Sequence, residues 1–260
     1  MTSIKQRLKN NELVLGTFVS EVRNPNVAYL LAQCGFDYLI FDNEHGAYSH
    51  ETVSDMIAAS RGAGIDVIVR VPEIRREAIL KPLDSGAAGL LIPQVNTAEE
   101  AAEIVRHAKY PPWGSRGAAT RRAHNRYARV DAATFLKQAN EETFIAVQAE
   151  TTEAIANADA IAAVEGIDAV FCGPFDLSIS LGIPGDVNHP REVEAVDKMV
   201  AACQRHGKAS GILMFDPAHL TPWIDKGMRF IAYSSDVNML ADAAAGALKQ
   251  LKAHNPSPTR

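Results

Sequence analysis

Residues 38–45 read Tyr38-Leu39-Ile40-Phe41-Asp42-Asn43-Glu44-His45, four apolar residues running straight into four polar ones. Four residues are too few for a helix, and an unbroken apolar run suits a strand buried on both faces. The pattern recurs along the chain. Val67–Val69 ends at Arg70, and Phe144–Val147 ends at Gln148 with Glu150 two residues on. Ala169–Cys172 passes through Gly173-Pro174 to Asp176. In a parallel barrel the C-terminal strand ends share one face, where such folds hold their active sites. Two carboxylates, a histidine with an acidic neighbour and an arginine are therefore expected in one pocket. They suit a divalent metal acting on an oxyanion.

Outward from these runs, strands are expected at Leu13–Val19, Tyr38–Phe41, Val67–Val71, Gly89–Ile92, Phe144–Ala149, Ala169–Cys172, Ser210–Met214 and Phe230–Ser234. Helical periodicity lies between them. Val53, Met56, Ile57 and Ala58 share a side in Glu51–Gly62, as do Ala98, Ala101, Ala102, Val105 and Ala108 in Thr97–Ala108. Asn24-Pro25 and Asp216-Pro217 read as helix starts, with a capping side chain before a first-turn proline. Eight α–β units predict a parallel sheet closed into a single-domain (β/α)8 TIM barrel, a size that 260 residues suit. The barrel is expected over 1–253, with 254–260 as a disordered Pro/Ser-rich tail.

Composition narrows the function. Net charge is −5 with Lys and Arg scattered, which argues against a nucleic-acid surface. No apolar stretch reaches membrane-span length, and Met1–Leu8 does not resemble a signal peptide. Cys34, Cys172 and Cys203 have no CxxC spacing and are expected as buried reduced thiols in a cytoplasmic protein. Two long connections, Tyr110–Tyr127 and the stretch from Gly173 through Gly182–Pro190, are expected over the C-terminal face. For the first, a basic inter-subunit loop is an equal alternative.

Each site residue carries two readings. Glu150 and Asp176 suit Mg²⁺ or Mn²⁺, which keep waters and accept substrate oxygens. Either one alone reads better as a helix cap, and the two together at adjacent strand ends favour the metal. His45 is the candidate general base, with the Asp42 carboxylate set to orient its ring; alone it reads as a turn histidine. Arg70 needs an anionic partner if buried, either a substrate carboxylate or Asp42 or Glu44. Gln148 shares the side of Glu150 by alternation and holds a water or substrate oxygen, or else is a core glutamine. Gly173-Pro174 is an anion-binding turn or a plain one. No lysine falls at a C-terminal strand end, so Schiff-base chemistry is not expected, nor is a nucleotide cofactor. Acidic Asp216 and Asp236 after the last two strands argue against a phosphate-binding isomerase.

The segments Phe41-Asp42-Asn43-Glu44-His45-Gly46, Arg70-Val71-Pro72, Gly114-Ser115-Arg116-Gly117, Gln148-Ala149-Glu150-Thr151 and Gly173-Pro174-Phe175-Asp176-Leu177-Ser178 together resemble the HpcH/HpaI aldolases. The resemblance runs from about Leu13 to Leu251. It implies a metal-dependent class II pyruvate aldolase, with Glu150 and Asp176 as ligands to Mg²⁺, Mn²⁺ or Co²⁺. It implies His45 with Asp42 as acid/base, Arg70 on the pyruvate oxygens, and Gln148 with Gly173, Pro174 and Phe175 in pyruvate binding. Asp84 and Arg116 match positions with a supporting or inter-subunit role. It further implies a trimer or hexamer exchanging a C-terminal helix, here Val237–Leu251. Gly16-Thr17-Phe18 stands where a tryptophan is frequent in the family, and Ala149 and Phe175 replace common Ile and Ala. These departures bear on the aldehyde partner and leave the ligand set intact.

The expected reaction is reversible cleavage of a 4-hydroxy-2-oxo acid to pyruvate and an aldehyde through a stabilised pyruvate enolate. The alternatives are an oxaloacetate decarboxylase or related lyase using the same enolate, and a non-catalytic barrel that binds a 2-oxo acid.

Overall fold

A computed structural model describes residues 2–254 of the chain. Its eight strands are β1 (Val14–Val19), β2 (Tyr38–Asp42), β3 (Asp66–Arg70), β4 (Gly89–Ile92), β5 (Phe144–Ala149), β6 (Ala169–Cys172), β7 (Ala209–Met214) and β8 (Phe230–Ser235). Every neighbouring pair is parallel, and β1 closes on β8 to complete the barrel. Twelve helices surround it: α1 (Ile4–Lys9), α2 (Val27–Gln33), α3 (His50–Ala63), α4 (Arg76–Ser85), α5 (Ala98–Ala108), α6 (Ala132–Glu142), α7 (Thr152–Ala156), α8 (Ala158–Ala163), α9 (Pro174–Ser180), α10 (Pro190–Arg205), α11 (Pro217–Asp225) and α12 (Asp236–Ala253).

All eight expected strands are present, with ends shifted by a residue or so. Alternation divides their side chains into two cores. Phe18, Tyr38, Ile40, Ile68, Leu91, Phe144, Phe171 and Phe230 form one cluster drawn from seven strands, the packed interior of the barrel. The opposite faces of the same strands, such as Leu39, Phe41, Val67 and Val69, pack against the helices. Large rings fill the interior because small residues face them. Gly16 lies against the Tyr38 ring, where a Cβ would clash. The Tyr38 hydroxyl donates to the Ile231 carbonyl at 2.8 Å, which removes an otherwise costly buried polar group.

Helix ends largely follow the sequence signals. Thr97 and Glu100 form a reciprocal capping box on α5, and Asp216 accepts the Ala218 N–H at 2.8 Å with Pro217 opening α11. Asn24-Pro25 does not start a helix. Asn24 Oδ1 accepts the Asn26 N–H, and α2 begins only at Val27.

Two further expectations are corrected. Tyr110–Tyr127 was expected over the C-terminal face but lies at the N-terminal end of the strands. It follows α5, which has already carried the chain back across the barrel from β4. Within it Arg116 reaches Asp84 in the last turn of α4, and Lys109 just before it bonds to the Thr143 carbonyl ahead of β5. Of the cysteines, Cys172 and Cys203 are buried, but Cys34 is exposed at the end of α2 because no tertiary element covers that turn. The tail expected at 254–260 lies outside the described residues apart from His254. No helix of the described residues is long and apolar enough to cross a membrane.

Candidate active site

The interior rows of the barrel decide which polar side chains meet. Tyr38 and Ile40 point inward, so Asp42 does too. Ile68 places Arg70 inward, and Phe144 with Ala146 does the same for Gln148. Asp42 and Arg70 are also direct register partners on β2 and β3. Polar residues thus form the top layer of an otherwise apolar stack.

Arg70 is buried and organises this layer. Its Nε and Nη2 bond to the two Asp42 oxygens at 2.8 and 2.6 Å, a bidentate pair. Its Nη1 lies 3.1 Å from Glu44 Oε2, and its guanidinium sits 5.0 Å from the Phe18 ring centre. Burial pulls the Arg70 pKa down, but bonding and charge from Asp42, then Glu44 and Glu150, outweigh it and raise the pKa.

His45 departs from expectation. Asp42 does not touch its ring. Asp42 Oδ1 accepts the backbone N–H groups of Glu44 and His45, at 3.1 and 3.3 Å, and so shapes the turn. Glu44 is the carboxylate near the imidazole, with Oε2 3.9 Å from Nε2. The His45 side chain is 70% exposed. Arg70 already takes both Asp42 oxygens, which leaves that carboxylate committed.

Two strands along, at the end of β5, Gln148 Nε2 donates to Glu150 Oε2 at 2.7 Å, and Glu150 Oε1 accepts the Gln94 N–H at 2.8 Å. Gln148 Oε1 is buried without a partner. Burial, with the charges of Asp176 and Glu44, pushes the Glu150 pKa up to about 7, against the Gln94 hydrogen bond and Arg70. Gln94 was missed by sequence reasoning. It holds φ at 55°, uncommon for a non-glycine residue, and no local motif signals it. Gly173 packs so closely that a Cβ there would clash with Glu150 Oε2 and lie 3.2 Å from Gln148 Nε2. Pro174 opens α9 and is buried, Asp176 is in its first turn, and Phe175 is exposed.

Asp42 and Glu44 therefore hold the guanidinium, Glu150 lies within reach of its charge, and Asp176 adds a fourth carboxylate near Glu44 and Glu150. No group of three or more His, Cys, Asp or Glu among the described residues is arranged to hold a metal by itself. A divalent ion that retains waters needs only one or two carboxylates, so Glu150 and Asp176 suit it, and its charge would offset the carboxylate excess. Asp84 and Arg116 pair at 2.7 Å, but at the other end of the barrel, away from Arg70.

The family model described as HpcH/HpaI aldolase/citrate lyase matches residues 15–243. The chain belongs to that family. A 2-keto-3-deoxy-L-rhamnonate aldolase of Klebsiella pneumoniae subsp. pneumoniae is 35% identical over 98% of this chain and 94% of its own length. A hydroxypyruvate/pyruvate aldolase of Roseobacter denitrificans is 36% identical over 92% of this chain and 93% of its own. The crystal structure of an HpcH/HpaI aldolase from Desulfitobacterium hafniense superposes with a TM-score of 0.95 at 35% identity, covering both chains fully. The HpcH/HpaI match spans all eight strands but for the first residue of β1, so it includes every residue of the polar layer.

Proposed function

We propose that this HpcH/HpaI protein is a class II aldolase that reversibly cleaves a 4-hydroxy-2-oxo acid to pyruvate and an aldehyde. The observation that carries the reading is the top layer itself: one buried arginine clamped between Asp42 and Glu44, with the Gln148–Glu150 pair of β5 two strands along the same barrel mouth. Full-length similarity to aldolases supports it.

In this reading Glu150 and Asp176 would hold Mg²⁺, Mn²⁺ or Co²⁺, which would supply Lewis-acid polarisation of the 2-oxo acid. Arg70 hydrogen-bonds the keto oxygen, where negative charge develops as C3–C4 breaks. A preorganised donor there acts on the transition state more than on the substrate. Asp42 and Glu44 keep the guanidinium fixed and charged. His45, exposed at the mouth beside Glu44, takes the C4 hydroxyl proton directly or through a water. Gln148, whose free Oε1 can accept from a bound water, and the backbone at Gly173, Pro174 and Phe175 line the pyruvate site.

Assembly is part of the proposal. Helix α12 runs 18 residues with only Asp236 buried, and Val237, Leu240, Leu248 and Leu251 are exposed. Exchange of this helix between subunits of a trimer or hexamer would cover them. Two buried unpaired thiols suit a reducing, cytoplasmic setting.

The test is proton NMR of pyruvate in D2O with chelator-treated protein, then with each metal added. Metal-dependent loss of the methyl signal is expected. Its absence with all three metals, in folded protein that binds pyruvate, would overturn the aldolase reading and leave a 2-oxo-acid-binding barrel.

A further inference from the structure

The N-terminal strand ends hold a second concentration of charge that aldol chemistry does not use. Lys5 of α1, Lys109 at the end of α5 and Lys208 just before β7 converge there on one carboxylate, Asp168. Lys5 Nζ is 3.0 Å from Asp168 Oδ1. Lys5 and Lys109 also share one acceptor, the Thr143 carbonyl, at 2.8 and 2.7 Å. Lys109 is 2% exposed, and its other acceptor is the Asn140 carbonyl at 2.6 Å. Lys208 bonds to the carbonyls of Ile167 and Val164 at 2.7 and 3.3 Å. Among the described residues, no carboxylate lies within ion-pair distance of Lys109 or Lys208.

These ammonium groups line a cavity of about 780 Å³ between α6 and the barrel floor. Lys9 and Lys137 stand at its exposed rim, so its lining carries five lysines against Glu141, Glu165 and Asp168. Its other side is apolar, formed by Leu136, Pro112 and Trp113, and the indole is 47% exposed. Burial, then repulsion from Lys5, pushes the Lys109 pKa down to about 7, opposed by Asp168. A buried cation without a counter-ion is costly, and an entering anion removes that cost. Each lysine carries three donors, and Lys109 has spent two. The volume falls in the small-molecule range of roughly 300–1,000 Å³, well beyond an inorganic oxyanion.

We propose that this cavity binds a small organic polyanion, with its phosphate or carboxylate group among Lys5, Lys109 and Lys208 and its apolar body against Trp113. The strands between this cavity and the upper site are about 13–20 Å long, so the two ligands bind independently.

The test uses the full chain at constant ionic strength, with and without Mg²⁺ and pyruvate to fill the upper site. Phenyl phosphate and sulfate are titrated by calorimetry and by tryptophan fluorescence. Saturable phenyl phosphate binding is expected in both states, with quenching that Trp113→Phe abolishes. Lys109→Gln and Lys208→Gln should each weaken it about tenfold while metal-dependent pyruvate exchange persists. If Lys109→Gln fails to fold, Lys208→Gln and Trp113→Phe carry the test. No saturable binding, or affinity unchanged in Lys208→Gln, overturns the proposal. Equal affinity for sulfate and phenyl phosphate overturns the assignment of an organic ligand.

Discussion

The two ends of this barrel are built alike and charged oppositely. At the C-terminal ends, Asp42, Glu44 and Glu150 gather around Arg70, with Asp176 beside Glu44 and Glu150. At the N-terminal ends, Lys5, Lys109 and Lys208 gather around Asp168. In both, charges sit where the apolar interior stops and one opposite charge falls short of balancing them. The titrations mirror each other: Glu150 is pushed up and Lys109 down, both to about 7. Burial is the larger cause in each, with like-charge repulsion adding to it. A cation is what the upper end lacks, and an anion the lower.

The sharpest way to break this comparison is to remove the upper arginine. Arg70→Ala should lower metal-dependent pyruvate exchange by about 10²–10³-fold, the scale of losing a transition-state oxyanion donor. It should also lower unfolding free energy by about 3–5 kcal/mol, because Asp42 loses its buried partner. Turnover within a few-fold of wild type would remove Arg70 from the mechanism.

Glu150→Gln should come next. It removes one metal ligand and one excess charge together, so metal affinity measured by calorimetry should fall at least tenfold while the metal-free protein stays folded. In the wild type, protons compete with the metal for Glu150, so affinity should fall below about pH 7. The stability of the metal-free protein runs the other way. A carboxyl raised to about 7 favours the fold at low pH, and that contribution is lost as pH rises from its unfolded value of about 4.3 through 7. Glu150→Gln should flatten that decline in urea melts.

A smaller effect separates shape from charge. Gly173→Ala puts a methyl against the Glu150 carboxylate and beside Gln148, which should cost about 1–3 kcal/mol of stability and weaken metal binding. Unchanged metal affinity would show that this contact is not needed.

The lower end gives the smallest and opposite signal. Lys109 is depressed to about 7, so the unfolded chain binds more protons between 7 and about 10.4. Stability should therefore rise with pH across that window, and Lys109→Met should flatten the rise. A wild-type slope of the other sign would reject the lower-end charge excess.

Much of the upper end was legible along the chain. Tyr38–Phe41 running into Asp42, and Phe144–Val147 into Gln148, place their polar ends by a two-residue alternation that needs no partner to be known. The lower end was not. Lys5 sits in the first turn of α1 while Lys109, Asp168 and Lys208 each follow or precede an element; they share no motif and meet only when the sheet closes.

The sequence by itself determined eight buried strands, their parallel closure, and which side chains face the barrel mouth. The physical reason is local: strand period and apolar runs depend on neighbours along the chain. Tertiary structure alone decided the pairings. It gave Asp42 to Arg70 and left Glu44 beside His45. It carried Tyr110–Tyr127 to the barrel floor, set the Gln94 N–H on Glu150, and left Cys34 uncovered. Those outcomes depend on distances between residues far apart in the chain, which are set only once the barrel closes and the helices pack.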